Sequence, residues 1–548
     1  MNSNDSTAWL AVTLGLLFCV SGNVSAMEAA ISGARSPQNE RHISPTGDDT
    51  HDGGTAATAW QTWPFALSQL QPGDVLIVGE GTWTNGSVQQ VSDPQPVLLN
   101  ARLPAVDCDP SAVNPEYFWP YQRGTADAPI TIRARNERKS LLRSDGRAAA
   151  FSIRHCEHWV LDGLRLEAAD HDGGSAWSVL DIAGSQHLRL QRLLGRRNNR
   201  FHNSHIFRLV RCQKCVITES EAYEFHRHGF SISDSEAIEI TRCYAHSRDR
   251  ADICGGRVSH DVAQGMGDEG VVCYFSNHCL VQNVIVENCE GIQVTGDHNR
   301  VLGCIAMDGP FGFRFASNCQ DSGEQLCRFD AGKPQEDTYA YGNHGENLVA
   351  IDCSIAGIDC DASGATTLRH VTMVACRTIA FWGRDRKTTA GFDTSFQVDY
   401  ALALGFGGRV GIVADSSVTG TWGGKYLNAF GHSVNDFGPS ASQSFGNQYG
   451  KWEKVSSIDP GLGANLVHVP KTSPMWQPDG NCIGANVLYR YEDGQLTGAA
   501  LWSPATGEFP HGAVIRYVND PASGPSAVDV HVRLRVNSSG GALPLGYQ

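Results

Sequence analysis

The sequence predicts an all-β chain wound as a single-stranded right-handed parallel β-helix, with an N-terminal cap and a β-rich C-terminal region. Three observations carry this. First, a motif of apolar, two residues, apolar, one residue, apolar recurs at Leu161-Leu164-Leu166, Leu190-Leu193-Gly195, Ile217-Ser220-Ala222, Ile240-Cys243-Ala245, Val281-Val284-Val286, Val301-Cys304-Ala306, Ala350-Cys353-Ile355 and Leu368-Val371-Met373. Second, a Gly-apolar-x-apolar strand alternates with it at Gly229-Phe230-Ile232, Gly291-Ile292-Val294, Gly312-Phe313-Phe315 and Gly357-Ile358-Cys360. Third, the closest repeats start about 18 to 23 residues apart, the length of one solenoid coil. A coil that short cannot bury its own apolar face, so stacked neighbours must do so. Such a stack offers a long rigid sheet suited to a polymer.

The elements follow in chain order. Residues 8–22 form an apolar stretch followed by Val24-Ser25-Ala26, which reads as a secretory signal peptide cleaved after Ala26. That stretch is too short for a membrane span, so a secreted or periplasmic protein without membrane insertion is expected, as a monomer. Residues 27–40 read as a flexible N-terminus. The spacing from Trp60 to Leu70 is helical and suits a cap over the open strand edges of the solenoid end. Gln71-Pro72-Gly73-Asp74 is a turn and Val75-Leu76-Ile77-Val78 a buried strand. Residues 84–124 form a long insertion, after which Pro129-Ile130-Thr131-Ile132 restarts the strands. Coil insertions at about 247–268 and 317–347 are placed to wall a groove. The β-helix is expected over 41–474, and 475–548 as a β-rich cap or small module.

A net charge of −15 argues against nucleic acid and anionic membrane as partners. Residues 123–260 nevertheless hold 22 Lys+Arg against 17 Asp+Glu, so a local basic face can meet an acidic glycan. The chain has 17 cysteines, and losing Cys19 with the signal leaves 16. Cys243, Cys304 and Cys353 fall in one slot of the repeat, where they would stack as small interior residues. Cys319 and Cys327, in a polar loop, are the better disulfide candidates. Cys212-x-x-Cys215 lacks the second pair that a zinc site needs.

Strand alternation points Ser231, Val272, Gln293, Arg314 and Asp359 outward in one row. Around that row lie the residues with chemistry. His228 is a candidate base near neutral pH. Tyr274 can serve as base or acid, and Arg314 and Arg250 can hold a carboxylate. His226, Arg227 and Gln293 are candidate substrate contacts. Asp249, Asp252, Asp268 and Glu269 are hard oxygen ligands of the kind calcium takes. Asp48, Asp49 and Asp52 belong to the structural N-terminal coil.

The N-terminal block Ile43-Ser44-Pro45-Thr46-Gly47-Asp48, Pro72-Gly73-Asp74-Val75-Leu76 and Gly81-Thr82-Trp83 resembles the opening of secreted right-handed parallel β-helix proteins. Gly124-Thr125-Ala126-Asp127-Ala128-Pro129-Ile130-Thr131-Ile132-Arg133-Ala134 and Trp159-Val160-Leu161-Asp162-Gly163-Leu164 resemble coils of the chondroitinase B and alginate lyase group. The resemblance spans about 42–380. It implies β-elimination on a uronic-acid polysaccharide, with a Lys base, an Arg acid and acidic residues holding calcium. Tyr274 or Phe275 stands where that group has its Lys, and Gln293 where it favours Arg. Either a different base works here or a distinct activity uses the same scaffold. A glycoside hydrolase drawing carboxylates from Asp268 or Glu269 and Asp249 or Asp252, an epimerase, and a non-catalytic glycan binder are the alternatives.

Overall fold

The computed structural model describes residues 39–84, 97–99, 123–144, 149–168, 178–197, 205–225, 227–246, 269–316, 340–361, 363–384, 394–415, 418, 420–438, 450–462, 469–487 and 489–500. The expected signal segment, Cys319, Cys327, most of 84–124 and all of 501–548 lie outside them. No helix among the described residues is long and apolar enough to cross a membrane.

Each coil contributes three short strands. In one coil these are Val216–Thr218, Glu221–Tyr223 and His228–Ser233. Equivalent strands of successive coils pair in parallel and build three long sheets, so the chain is a parallel β-helix. The first and second sheets meet at a sharp bend made by one residue in the left-handed region. Gly163, Arg192, Glu219, Arg242, Asn283 and Gly303 hold it in turn, at φ between 50° and 72°. This residue is the second of the two variable positions in the recurring motif. The bend turns both flanking apolar side chains inward, which is why the motif reads apolar-x-x-apolar.

Three inward ladders fill the core. The first sheet supplies Leu161, Leu190, Ile217, Ile240, Val281 and Val301 in register. The second supplies small residues, Gly195, Ala222, Ala245, Val286 and Ala306. The third supplies large ones, Leu180, Phe207, Phe230, Val271, Ile292 and Phe313. Small faces large across the interior. Phe207 and Phe230 stack at 5.0 Å, and a Cβ at Gly195 would lie 2.1 Å from Ile206.

The N-terminal end is closed as expected by a helix, Trp63–Gln69, which Thr62 caps by accepting from the Phe65 N–H. Trp63 is fully buried, edge-on to Trp83 and Phe151. Asp49 accepts from the Gln61 and Thr62 N–H groups and from the Thr62 hydroxyl, so this acidic loop is structural.

The register corrects one slot. Cys243 and Cys304 are stacked interior residues, with Val284 between them. Cys353 is not in that ladder, because Ile305 pairs with Val349 and puts Leu348 in the Cys304 slot. The inward triplet there is Gly345, Leu348 and Ala350. Ala350 belongs to both possible frames of the motif, and backbone pairing decides between them. Burial pushes the Cys243 and Cys304 thiols up to about 12, so they act as small apolar residues. Cys212 and Cys215 are likewise buried. Replacing Cys304 by Phe overpacks this ladder and should cost about 1–3 kcal/mol, read as a lower urea midpoint. An unchanged midpoint would show that the slot has spare room.

The ladder strands end at Gly450–Ser456 rather than near 474. The chain then doubles back along the outside of the second sheet as a strap. Met475, Ile483, Ala485 and Val487 bury against Ile285, Ile305, Val349, Ile351, Val374 and Leu402. The Ala485 N–H donates to the Thr372 hydroxyl, and the Gly484 N–H to the Tyr400 carbonyl. The bend residues clamp it further along. Asn283 donates to the Tyr491 carbonyl at 2.6 Å and accepts from the Tyr491 N–H at 2.9 Å, while Asn347 donates to the Tyr491 hydroxyl. Only the hairpin Tyr489–Glu492 with Gln495–Ala500 has strand structure among the described residues of the expected C-terminal module.

Candidate active site

The third sheet stacks twelve strands, and its outer face carries the candidate site. Ser231, Val272, Gln293, Arg314 and Asp359 are direct register partners, so the expected row forms. It is not an open surface, since all five are less than a tenth exposed. The Gly that opens these strands has a steric role. A Cβ at Gly229 would lie 2.6 Å from the Gly270 carbonyl, and one at Gly312 would lie 2.5 Å from the Gly357 carbonyl. Gly229 lies against the Ala222 and Ala245 side chains and Phe230 is in the core, so His228 is turned to the outer face beside Ser231.

His228 meets Glu269 of the next coil, Nε2 to Oε2, at 2.9 Å. The Tyr274 hydroxyl stands 3.4 Å from the same nitrogen, with the two rings 5.4 Å apart. His228 is 1% exposed while Tyr274 is half-buried, so the phenol forms the outer side of this group. The imidazole Nδ1 is buried and has no hydrogen-bond partner among the described residues. Burial disfavours the imidazolium, Glu269 opposes that, and Arg227 adds to it, leaving His228 below its ordinary value. Burial alone would raise Glu269. The His228 hydrogen bond and charge and the Arg314 charge outweigh it and hold the carboxyl well below the usual range. The dyad is therefore a neutral imidazole donating from Nε2 to a carboxylate, with the Nδ1 lone pair left over.

Arg314 lies beside this dyad. It donates to the Gln293 side-chain carbonyl at 3.0 Å, and its guanidinium lies 3.5 Å from Glu290 and 3.6 Å from Asp359, over the Phe311 ring. Burial would lower its pKa, but the charges of Asp359, Glu269, Glu290 and Asp361 raise it, so it stays cationic. Arg384, one coil on, holds both Asp359 oxygens at 2.8 and 2.6 Å, lies 3.5 Å from Asp361 and covers the Trp382 ring.

The structure thus brings His228, Glu269, Tyr274, Gln293 and Arg314 together, with Arg227 adjacent. Glu269 faces His228, and its carboxylate is among the four, with Glu290, Asp359 and Asp361, whose charges act on Arg314. His226, Asp249, Arg250, Asp252 and Asp268 lie outside the described residues. Sequence reasoning missed Glu290, Asp361 and Arg384. Asp359 and Asp361 carried a signal, since alternate positions on a strand of known direction both face outward. Glu290 and Arg384 carried none, because coil stacking alone brings them to Arg314 and Asp359.

The family model described as "Right handed beta helix region" matches residues 191–393, the span that carries this site. The fold is a right-handed parallel β-helix. No curated protein sequence matches the chain significantly. Among solved structures, the catalytic unit of thermostable GH87 alpha-1,3-glucanase from Streptomyces thermodiastaticus strain HF3-3 is similar with a TM-score of 0.47 and 11% identity, over 71% of this chain and 64% of that one. This chain thus spans less than two thirds of the glucanase's length. A mannuronic acid specific polysaccharide family 6 lyase from human gut microbiota is similar with a TM-score of 0.44 and 13% identity, over 77% of this chain and 92% of that one. A rhamnogalacturonan lyase is similar with a TM-score of 0.43 and 12% identity, over 84% and 97%.

Proposed function

We propose that this protein is an exported polysaccharide lyase that cleaves a uronic-acid-containing polymer by β-elimination on the outer face of the third sheet. The observation that carries the reading is the buried Glu269–His228 dyad with the half-exposed Tyr274 phenol beside it and the Arg314–Gln293 pair on the adjoining coils. β-Elimination needs a base for the proton next to the uronate carboxylate, a donor for the leaving oxygen, and neutralisation of the carboxylate. His228 is neutral with an Nδ1 lone pair unpartnered among the described residues, and is taken as the base. That nitrogen is buried in the chain alone, so polymer binding must uncover it, and the imidazolium formed is held by Glu269. Tyr274, with its hydroxyl on the outer side of the group, is the donor to the glycosidic oxygen. Arg314 and Gln293 supply a cation and an amide for the carboxylate. The electrons of the broken C–H bond form the new C=C bond as the glycosidic C–O bond breaks. Glu269 is engaged by His228, and the other expected calcium ligands, Asp249, Asp252 and Asp268, lie outside the described residues.

A hydrolytic reading has one specific observation in its favour. Glu269, Glu290, Asp359 and Asp361 put four carboxylates on the same face around Arg314. Lyase and hydrolase are separated by incubating the protein with alginate, chondroitin and dermatan sulfates, hyaluronan, pectate and glucuronan. A lyase gives the ultraviolet absorbance of a conjugated uronate with each cut; a hydrolase gives reducing ends without it. Neither signal on any polymer would defeat both.

Tyr274→Phe should lower turnover by about 10²-fold or more while leaving the circular dichroism spectrum and melting point unchanged. Wild-type turnover would take the phenol out of the reaction.

A further inference from the structure

A second cluster lies away from this site, at the turn that leads from the third sheet back to the first. The turn places two residues per coil in the left-handed region, three positions apart, and on two successive coils the second of them is His158 and His187, each at φ 54°. Their rings stack at 4.7 Å with only 6° between planes. Glu157 precedes His158 on the same turn, with its Oε1 3.7 Å from His158 Nε2. Among the described residues, this is the group of His, Cys, Asp or Glu whose ligand atoms converge, all within 4.8 Å of one another. None of the three is buried, so an ion can reach them from solvent.

We propose that Glu157, His158 and His187 form a binding site for one divalent transition-metal ion of the zinc type. Two imidazole nitrogens and one carboxylate oxygen are a donor set that zinc takes, with a water left in the fourth position. Bonds of about 2.0–2.1 Å in a tetrahedron set ligand atoms about 3.4 Å apart, close to the Glu157–His158 separation. Parallel rings point their lone pairs in parallel planes, so one ring must turn to meet the same ion. His187, at the surface, has room to do so. Arg123 lies 3.7 Å from the other Glu157 oxygen and leaves Oε1 to the metal. Hard cations prefer oxygen sets, so calcium and magnesium are excluded by the donors.

A related cluster on the same ridge gives an internal comparison. His278 and His298 stack more loosely, at 5.4 Å, and Glu236 is 3.9 Å from His278 with both side chains 59% exposed. Its ligand atoms do not converge. Among the described residues, one such site is therefore expected.

The test is a titration of Zn²⁺ into the purified full chain, followed by calorimetry and by melting temperature at rising free zinc. Binding to the folded state should raise the melting temperature with zinc concentration, and equal calcium or magnesium should not. His158→Asn and His187→Asn suit the left-handed backbone, since Asn tolerates it, and Glu157→Gln keeps the side-chain size. Each should weaken zinc at least about tenfold, the scale on which even outer partners tune such sites. Their melting temperatures without zinc should stay near that of the native chain. Zinc affinity unchanged in His158→Asn and His187→Asn would overturn the site, as would calcium stabilising as well as zinc.

Discussion

His228→Gln should abolish polymer cleavage, lowering turnover by about 10²–10⁴-fold, the range that a positioned proton acceptor supplies. Glutamine can still reach Glu269 with an amide N–H, so the carboxylate keeps a donor and the strand His228–Ser233 keeps its pairing. What is lost is the Nδ1 lone pair. If the proposed reaction holds, the native protein should show the same loss on the acid side of its pH profile. His228 titrates below its ordinary value of 6.5, so the rate should hold down to that pH and fall beneath it as the imidazole is protonated. Stability follows the same direction. The folded-state values of His228 and Glu269 both lie below their ordinary values of 6.5 and 4.5, so folding takes up fewer protons than the unfolded chain below those values. The contribution of each is full above its ordinary value and is lost as pH falls through its folded value. Native turnover in His228→Gln would remove the base from the scheme.

Glu221→Ala should be the most destabilising single change outside the apolar core, at about 3–5 kcal/mol, the range for removing one partner of a buried ion pair. Glu221 is fully buried on the outer side of the second sheet. It accepts from Arg138 at 3.0 Å and lies 2.7 Å from His246 Nε2. Arg138 is itself 5% exposed, and His246 sits between Tyr223 and Tyr244, each 4.4 Å away. Truncation removes the buried carboxylate and leaves the guanidinium with Glu137 at 3.7 Å and the Arg192 and Leu193 carbonyls. Glu221→Gln should cost less, because it keeps an acceptor for Arg138. Urea unfolding measures both. The fraction that remains folded should cleave polymer normally, since the network lies on a different sheet from His228. A midpoint within experimental error of the native one would mean that the pair is solvated.

The repeat made the fold legible because burial in a solenoid is strictly periodic. Where the period allows two frames, as around Ala350, side-chain pattern alone misplaced Cys353. The bend residues were not legible either. Glu219 and Arg242 are types that avoid positive φ, and stacking of neighbouring coils holds them there. In the site, His228, Tyr274, Gln293 and Arg314 could be read from alternation along single strands. Glu290 and Arg384 could not, because their partners are 24 and 25 residues away in sequence and meet them only through the coil rise.

The strap that runs from Tyr400 back to Asn283 changes how the molecule comes apart. A bare solenoid is a one-dimensional array in which each rung touches only its neighbours, so its last rungs can fray without disturbing the middle. Here the same segment holds Tyr400 and Thr372 near one end and Asn347 and Asn283 further in. Opening the C-terminal rungs therefore requires releasing a clasp that also grips the rungs bearing Gln293 and Arg314. Damage at the far end, by proteolysis or heat, is thereby linked to the rungs where the chemistry is placed, and this half of the array should melt as one unit.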